Sequence, residues 1–275
     1  MHSSFSNRNF DLRHCGSCGL SFIANPRTDF DLLYDAEYYA GRGADALVNY
    51  LGEMDNPRTI RTYEWRGITR AITSIMGPGG FRWLDYGCGL GGLVRYARTC
   101  GMPEVYGFDE GWPAQWMLDH NLPLLTRVDL ETRVGTFDVV TAIEVIEHVS
   151  DPVAVATHIA SLLKPGGLFL LTTGNAEPHR RRLASWSYVN PDVHVAYFEP
   201  RTLEALYDRS DLVPFAAGFL PGYEDIVRYK VLKVLRVSSR NWLERAIPWK
   251  LVSRIIDRRH KVTALPLARR RAPEA

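Results

Sequence analysis

The stretch WLDYGCGLGG, Trp83 to Gly92, constrains this chain more than any other. An apolar run closes on an acid at Asp85, then turns through Gly87, Gly89, Gly91 and Gly92. LVRYARTC follows at once and reads as a helix. A strand that stops in a glycine-rich turn and feeds a helix brings bare backbone N–H groups close to a ligand. Open α/β sheets bind their ligands at the carboxyl ends of strands, where this turn would sit. A nucleotide-type cofactor is therefore expected, and the glycine spacing bears on which one.

Two spacings fit. Gly87, Gly89 and Gly92 match G-x-G-x-x-G, the dinucleotide pattern, with Asp109 about twenty residues on where a ribose-binding acid is expected. Gly87, Gly89 and Gly91 also match G-x-G-x-G, with Asp85 two residues ahead. The whole block, L-D-x-G-C-G-x-G, resembles motif I of the class I S-adenosylmethionine-dependent methyltransferases. That cofactor has no pyrophosphate. It carries an ammonium and a sulfonium, which an acid beside the turn complements, and a carboxylate that backbone N–H groups can hold.

Later segments favour the second spacing. FDVVTAIEVIEHV (137–149) is a buried-strand run ending in polar residues. DPVAVATHIASLL (151–163) reads as a helix with Pro152 at its start and Asp151 or Ser150 as cap. KPGG (164–167) reads as a turn and LFLLTT (168–173) as another buried strand. This order resembles motifs IV and V of the same superfamily and is untypical of dehydrogenases. The resemblance spans Arg82 to Thr173.

It implies an α/β, Rossmann-like, doubly wound, seven-stranded sheet whose last strand is antiparallel. The expected strands are RWLDYG, EVYGFD, PLLTR, FDVVTAIEV, LFLLTT, LVPFAAGFL and VTALPLARR. Residues 1–76 read as a helical N-terminal cap or lid carrying a C-x-x-C segment, and 77–275 as the methyltransferase domain. A basic C-terminal insertion of roughly 40 residues, about 222–261, would precede the last strand.

The resemblance also assigns cofactor contacts. Gly87, Gly89 and Gly91 would lie against the methionine and ribose, and Asp85 would orient the amino-acid end. Asp109 would accept hydrogen bonds from the two ribose hydroxyls, since two carboxylate oxygens match that diol. Asp129 stands where the family often reads the adenine amino group, with Leu130 offering a backbone N–H. A solvated surface acid explains Asp129 equally well. Glu144 would touch cofactor.

Methyl transfer asks an enzyme to align nucleophile, methyl and sulfur and to exclude water. A hydroxyl acceptor must also lose a proton. The candidate bases are His148, closing E-V-I-E-H past the fourth strand, and His194 in PDVHVAYFEP. Glu144, Glu147, His148 and His194 together resemble the E-x-x-E-H…H metal set of small-RNA 3′-end ribose methyltransferases. E-x-x-E-H also recurs in ubiquinone-pathway O-methyltransferases and in many metal-free relatives. The working expectation is S-adenosylmethionine as cofactor with no metal, a divalent ion being the alternative. In HCGSCGL, Cys15 and Cys18 form half a zinc knuckle; a metal-free turn is the expectation, because no earlier cysteine completes the set.

Charge bears on partners. Residues 1–175 carry 14 Lys/Arg against 20 Asp/Glu, whereas 176–275 carry 19 against 11. Within 226–271 there are 14 basic and 2 acidic side chains. That excess reads either as solvated faces of packed helices or as a dock for an anionic substrate or surface. No apolar run approaches the ~20 residues of a membrane-spanning helix. The segment MHSSFSNRNFDLRH lacks a signal peptide's apolar stretch, so a reduced, cytoplasmic setting is expected. The function expected first is methylation of a small-molecule acceptor, at a hydroxyl of a sugar, lipid-linked intermediate or secondary metabolite. An RNA ribose 2′-O-methyltransferase with a divalent metal is the second reading, although no RNA-binding module is recognisable. A catalytically dead binding or scaffold protein and an NAD-dependent oxidoreductase follow.

Overall fold

The computed structural model describes residues 8–45, 49–77, 80–215, 220–260 and 267–272. Nine strands occur among them: β1 (Leu12–His14), β2 (Ser21–Ile23), β3 (Trp83–Tyr86), β4 (Val105–Phe108), β5 (Phe137–Ile143), β6 (Leu163–Thr172), β7 (Ala196–Tyr197), β8 (Leu212–Pro214) and β9 (Leu267–Arg270). Two compact units are assembled from separated stretches of chain. One comprises Met1–Tyr34, Thr126–Ala216 and Ala264–Ala275; the other comprises Asp35–Leu125 and Ala217–Thr263.

In the first unit β5 and β6 run parallel, with Val139 opposite Leu168 and Ile143 opposite Thr172. β9 lies between β6 and β8 and is antiparallel to both. Phe137, Val139, Val140 and Leu168 to Leu171 are fully buried, which is why these strands read as unbroken apolar runs rather than alternating ones. The helix Pro152–Leu162 is capped by Asp151, whose side chain accepts the Ala154 N–H at 2.9 Å. A separate antiparallel sheet, β1-β2-β7, packs Phe10, Ile23 and Tyr197 with Ala176 and Leu183.

In the second unit β3 pairs in parallel with β4, from Trp83 opposite Val105 to Tyr86 opposite Phe108. The helices Gly92–Thr99 and Trp112–Asp119 follow these two strands. The long helix Arg61–Met76 packs closely on the helix Tyr223–Val234. A Cβ at Gly67 would lie 2.6 Å from the Gly222 carbonyl oxygen, so this approach requires glycine. Ile60, Tyr63, Tyr229, Leu232 and Trp249 form their common core. The start of the basic insertion is thus tied to the last helix of the expected cap.

The architecture is α/β and Rossmann-like, with the antiparallel last strand in place. Among the described residues six strands serve it rather than the seven expected. PLLTR, expected as the third, makes only one isolated bridge, Gly107 with Leu124. KPGG, expected as a turn, lies inside β6, which begins at Leu163. β8 covers only the start of LVPFAAGFL and β9 only the end of VTALPLARR; residues 216–219 and 261–266 lie outside the described residues. No described helix is long and apolar enough to cross a membrane.

Candidate functional site

The glycine turn begins directly after β3. Gly87, Gly89 and Gly91 have φ values of 71°, 54° and 68°, left-handed backbone that favours glycine. Gly91, which caps the helix Gly92–Thr99, is also crowded: a Cβ there would meet Met117 Cε at 2.7 Å. Gly89 is open, since its Cβ would meet only Tyr39 Cε1, at 3.9 Å. The Phe108 carbonyl accepts the N–H groups of Gly87 and Cys88, at 2.8 and 3.1 Å, so the turn is tied to the end of β4.

Asp109 follows β4 directly. Its Oδ2 accepts the Gly89 N–H at 2.7 Å and its Oδ1 the Glu110 N–H at 2.8 Å. Each oxygen has a second lone pair for a further donor. Burial outweighs those two bonds and pushes this carboxyl up to about 6. Asp85 is buried in β3, opposite Gly107 of β4. Burial, with the charges of Asp109 and Asp85, raises the Cys88 thiol, so it stays protonated. An open backbone turn beside a carboxylate of this kind suits a ligand with a vicinal diol and a cationic end.

The first unit holds the other group of expected residues. Glu144 follows β5 with φ 55°, a left-handed conformation rare for a side chain of this size. Its N–H donates to the Thr172 carbonyl at 2.9 Å, and its Oε1 accepts from Thr172 Oγ1 at 2.9 Å. The Tyr188 hydroxyl lies 3.3 Å from Glu144 Oε2 and also donates to Glu147 Oε1. Glu147 is fully buried, and its Oε2 has no hydrogen-bond partner. Burial and the neighbouring Glu144 push Glu147 up to about 7.

Two imidazoles complete this cluster. His148 Nδ1 lies 2.9 Å from the Val193 carbonyl and 2.8 Å from the Tyr34 hydroxyl. His194 Nδ1 lies 2.7 Å from the Tyr188 carbonyl. A carbonyl only accepts, so each Nδ1 carries the proton and each Nε2 presents a lone pair. The rings are 4.7 Å apart and nearly perpendicular. Burial, then His148, lowers His194 to about 4, so it is neutral at physiological pH. Glu147, His148 and His194 each offer a ligand atom, and these atoms lie within 4.8 Å of one another. An orphaned buried carboxylate oxygen and two imidazoles anchored at Nδ1 are a donor set that fits a divalent cation. The sequence offered Glu144, Glu147, His148 and His194 as the alternative metal set, and the structure gathers the last three of them.

Asp129 and Leu130 serve their own helix, Arg127–Glu131. Asp129 Oδ2 accepts the Thr126 N–H at 2.8 Å and the Thr126 hydroxyl at 2.6 Å, closing a capping box. The Leu130 N–H is taken by the Thr126 carbonyl at 3.1 Å. Both groups thus have a local capping role, through Asp129 Oδ2 and the Leu130 N–H. The pattern T-x-x-D in the sequence was the signal.

Tyr188, Tyr34 and Thr172 were missed as site residues. Tyr188 links Glu144 and Glu147 by its hydroxyl, lies over the His194 ring at 4.4 Å and donates to nothing its own segment supplies. It sits in a polar, proline-punctuated stretch with no periodicity to mark it. The Cys15–Gly19 turn joins β1 to β2, with the Gly19 N–H donating to the Cys15 carbonyl at 2.9 Å.

Comparison with known proteins gives a consistent picture. A family model described as a methyltransferase domain matches residues 37–215. The chain is 36% identical over 124 residues to a ubiquinone biosynthesis O-methyltransferase of Xanthomonas axonopodis pv. citri, covering 41% of this chain and 51% of that protein. It is 38% identical over 151 residues to the enzyme of the same name from Xanthomonas campestris pv. campestris, covering 50% and 62%. The chain thus spans about half the length of the curated relatives it matches. A solved complex between the Haloferax volcanii Trm112 methyltransferase activator and a methyltransferase contains a chain similar in fold. Its TM-score is 0.50 at 15% identity, covering 89% of this chain and 97% of that one.

Proposed function

Because the chain belongs to the methyltransferase-domain family, we propose that it moves a methyl group from S-adenosyl-L-methionine to a hydroxyl of a small-molecule acceptor. The hydrogen bond that joins Asp109 to the glycine turn carries this reading. Asp109 would take the ribose hydroxyls, and the open backbone around Gly89 would lie against the methionine and ribose. Asp85 would balance the ammonium end. When bound, the cofactor supplies an electrophilic methyl on a cationic sulfur. A hydroxyl acceptor fits the relatives, which are named O-methyltransferases. Sugars, lipid-linked intermediates and secondary metabolites are the classes considered.

The chain's own residues supply the proton chemistry. His148 Nε2 is the base, because Val193 and Tyr34 hold its other nitrogen. His194 stays neutral beside it and keeps a second cation away from the ring. Tyr188 and Glu147 fix the wall behind His194.

Calorimetry with S-adenosylhomocysteine tests the cofactor half. Tight binding by the wild type and its loss in Asp109→Ala are expected; equal binding by both would remove the assignment. A second reading is favoured by the orphaned Glu147 Oε2: Glu147, His148 and His194 would hold a divalent cation, which would lower the pKa of a bound hydroxyl. That arrangement also suits a ribose hydroxyl at an RNA end. Transfer that survives a strong chelator leaves His148 as the base.

A further inference from the structure

Among the described residues, eleven large hydrophobic side chains are exposed, and six of them lie between Val234 and Ile255. That concentration sets this segment apart from the rest of the surface. The helix Trp249–His260 turns Trp249 and Ser253 inward, with Trp249 in the core shared with Tyr229 and Leu232. Its opposite side carries Leu251, 56% exposed, and Ile255, 46% exposed, one turn apart. Ile247 lies one turn ahead of Leu251 and is also exposed. Lys250 and Arg254 are exposed beside this stripe. Val234 and Leu235 end the neighbouring helix Tyr223–Val234 and are exposed, with exposed Arg236 next to them. Trp242 is 75% exposed.

The charge on this segment is predominantly positive. From Ile226 to Arg271 the sequence holds only two acids, Glu244 and Asp257. Glu244 is buried and turned inward, accepting from the Tyr63 hydroxyl at 2.7 Å and from Arg228 at 3.1 Å. Between Ile226 and Arg271 these two acids face fourteen basic side chains, and Arg236, Lys250 and Arg254 are exposed.

Exposed aliphatics alone would leave the occupant open. Aliphatics flanked by cations, with one exposed tryptophan, match the interface of an anionic bilayer: the apolar side chains enter the acyl boundary and the cations meet headgroup phosphates. Single-stranded nucleic acid would use stacked aromatics and leave Leu251 and Ile255 in water. We propose that the helix Trp249–His260, with Trp242 and the end of the helix Tyr223–Val234, seats this protein on an anionic lipid surface. The docking is peripheral, since no described helix can span a membrane.

The test is sedimentation of the full chain with phosphatidylcholine vesicles, with and without about one-third phosphatidylglycerol. Binding to the anionic vesicles, little binding to pure phosphatidylcholine, and release in high salt are expected. Lys250→Glu and Arg254→Glu should each weaken the partition about five-fold or more. Leu251→Ser with Ile255→Ser should abolish it while the melting temperature holds. Trp242 emission should shift to the blue on vesicles, and Trp242→Phe should remove that shift. The salt titration needs no variant, so a misfolded variant does not spare the proposal. No binding to anionic vesicles, binding indifferent to salt and to both pairs of substitutions, or retention by an RNA oligonucleotide or an acidic protein without vesicle binding would each overturn it.

Discussion

Asp109 and Gly89, twenty residues apart, are joined by one hydrogen bond, the Gly89 N–H donating to Asp109 Oδ2 at 2.7 Å. The bond locks the acid after β4 to the turn after β3, so the backbone and the carboxylate form one preorganised surface. It also holds a charge in a desolvated place, and burial raises that carboxyl to about 6.

Cofactor affinity should therefore depend on pH in a definite window. Ribose hydroxyls donate to the ionised carboxylate. Above pH 7 Asp109 is charged and affinity is flat; below about 6 it protonates and affinity falls by about tenfold per unit. Asp109→Ala removes two charge-assisted hydrogen bonds, each worth about 1.5–3 kcal/mol, and should weaken binding about a hundredfold or more. Calorimetry with S-adenosylhomocysteine from pH 5 to 8 checks both; a flat wild-type profile contradicts the role of Asp109.

His148 separates chemistry from cofactor binding. His148→Ala should lower kcat by roughly 10²–10⁴ while S-adenosylhomocysteine affinity stays put. Tyr34→Phe removes one hydroxyl that holds the ring and should cost far less. Single-turnover methyl transfer to the acceptor, beside calorimetry on the same variants, reads the two effects apart.

The glycine turn was legible because positive φ at fixed spacing leaves few residue types available. The buried strands were legible as apolar runs, since β5 and β6 lie covered on both faces. PLLTR failed as a strand because a short apolar string has the same appearance whether it pairs along its length or touches once, at Leu124. At Asp129 a family position and a local T-x-x-D cap coincide, and only the cap is a local contact that the sequence spells out. Tyr188 could not be found: its partners, Glu144 and Glu147, lie more than forty residues away. Nothing in a loop's local pattern records such a long-range hydroxyl.

The Cys15 thiol offers a check on the C-x-x-C turn. The Cys18 N–H, then the Ser17 hydroxyl 3.0 Å away, lower it to about 6. At pH 7 it should be mostly thiolate and label with iodoacetamide well before Cys88, whose thiol burial raises. Ser17→Ala should slow the labelling of Cys15 at pH 7. Mass spectrometry of partly labelled protein gives the order, and simultaneous labelling would contradict it.

Glu147 and His194 should give stability two opposing pH limbs over nearly the same range. Glu147 is raised from 4.5 to about 7, so its contribution is complete below pH 4.5 and is lost as pH rises through 7. His194 is lowered from 6.5 to about 4, so its contribution is present above 6.5 and is lost as pH falls through 4. The two windows overlap, so the slopes largely cancel in the wild type; in thermal melts from pH 4 to 9, Glu147→Gln should leave stability rising with pH between about 4 and 6.5, and His194→Asn should leave it falling between about 4.5 and 7. A divalent cation would reverse the first limb, because it binds the ionised Glu147 and competes with its proton. Manganese or zinc should then raise the melting temperature more at pH 8 than at pH 6, and Glu147→Gln should abolish that gain. If neither ion shifts the wild type at either pH, the cluster acts without a metal, and the fall in stability unmasked by His194→Asn remains as the signature of the buried carboxyl alone.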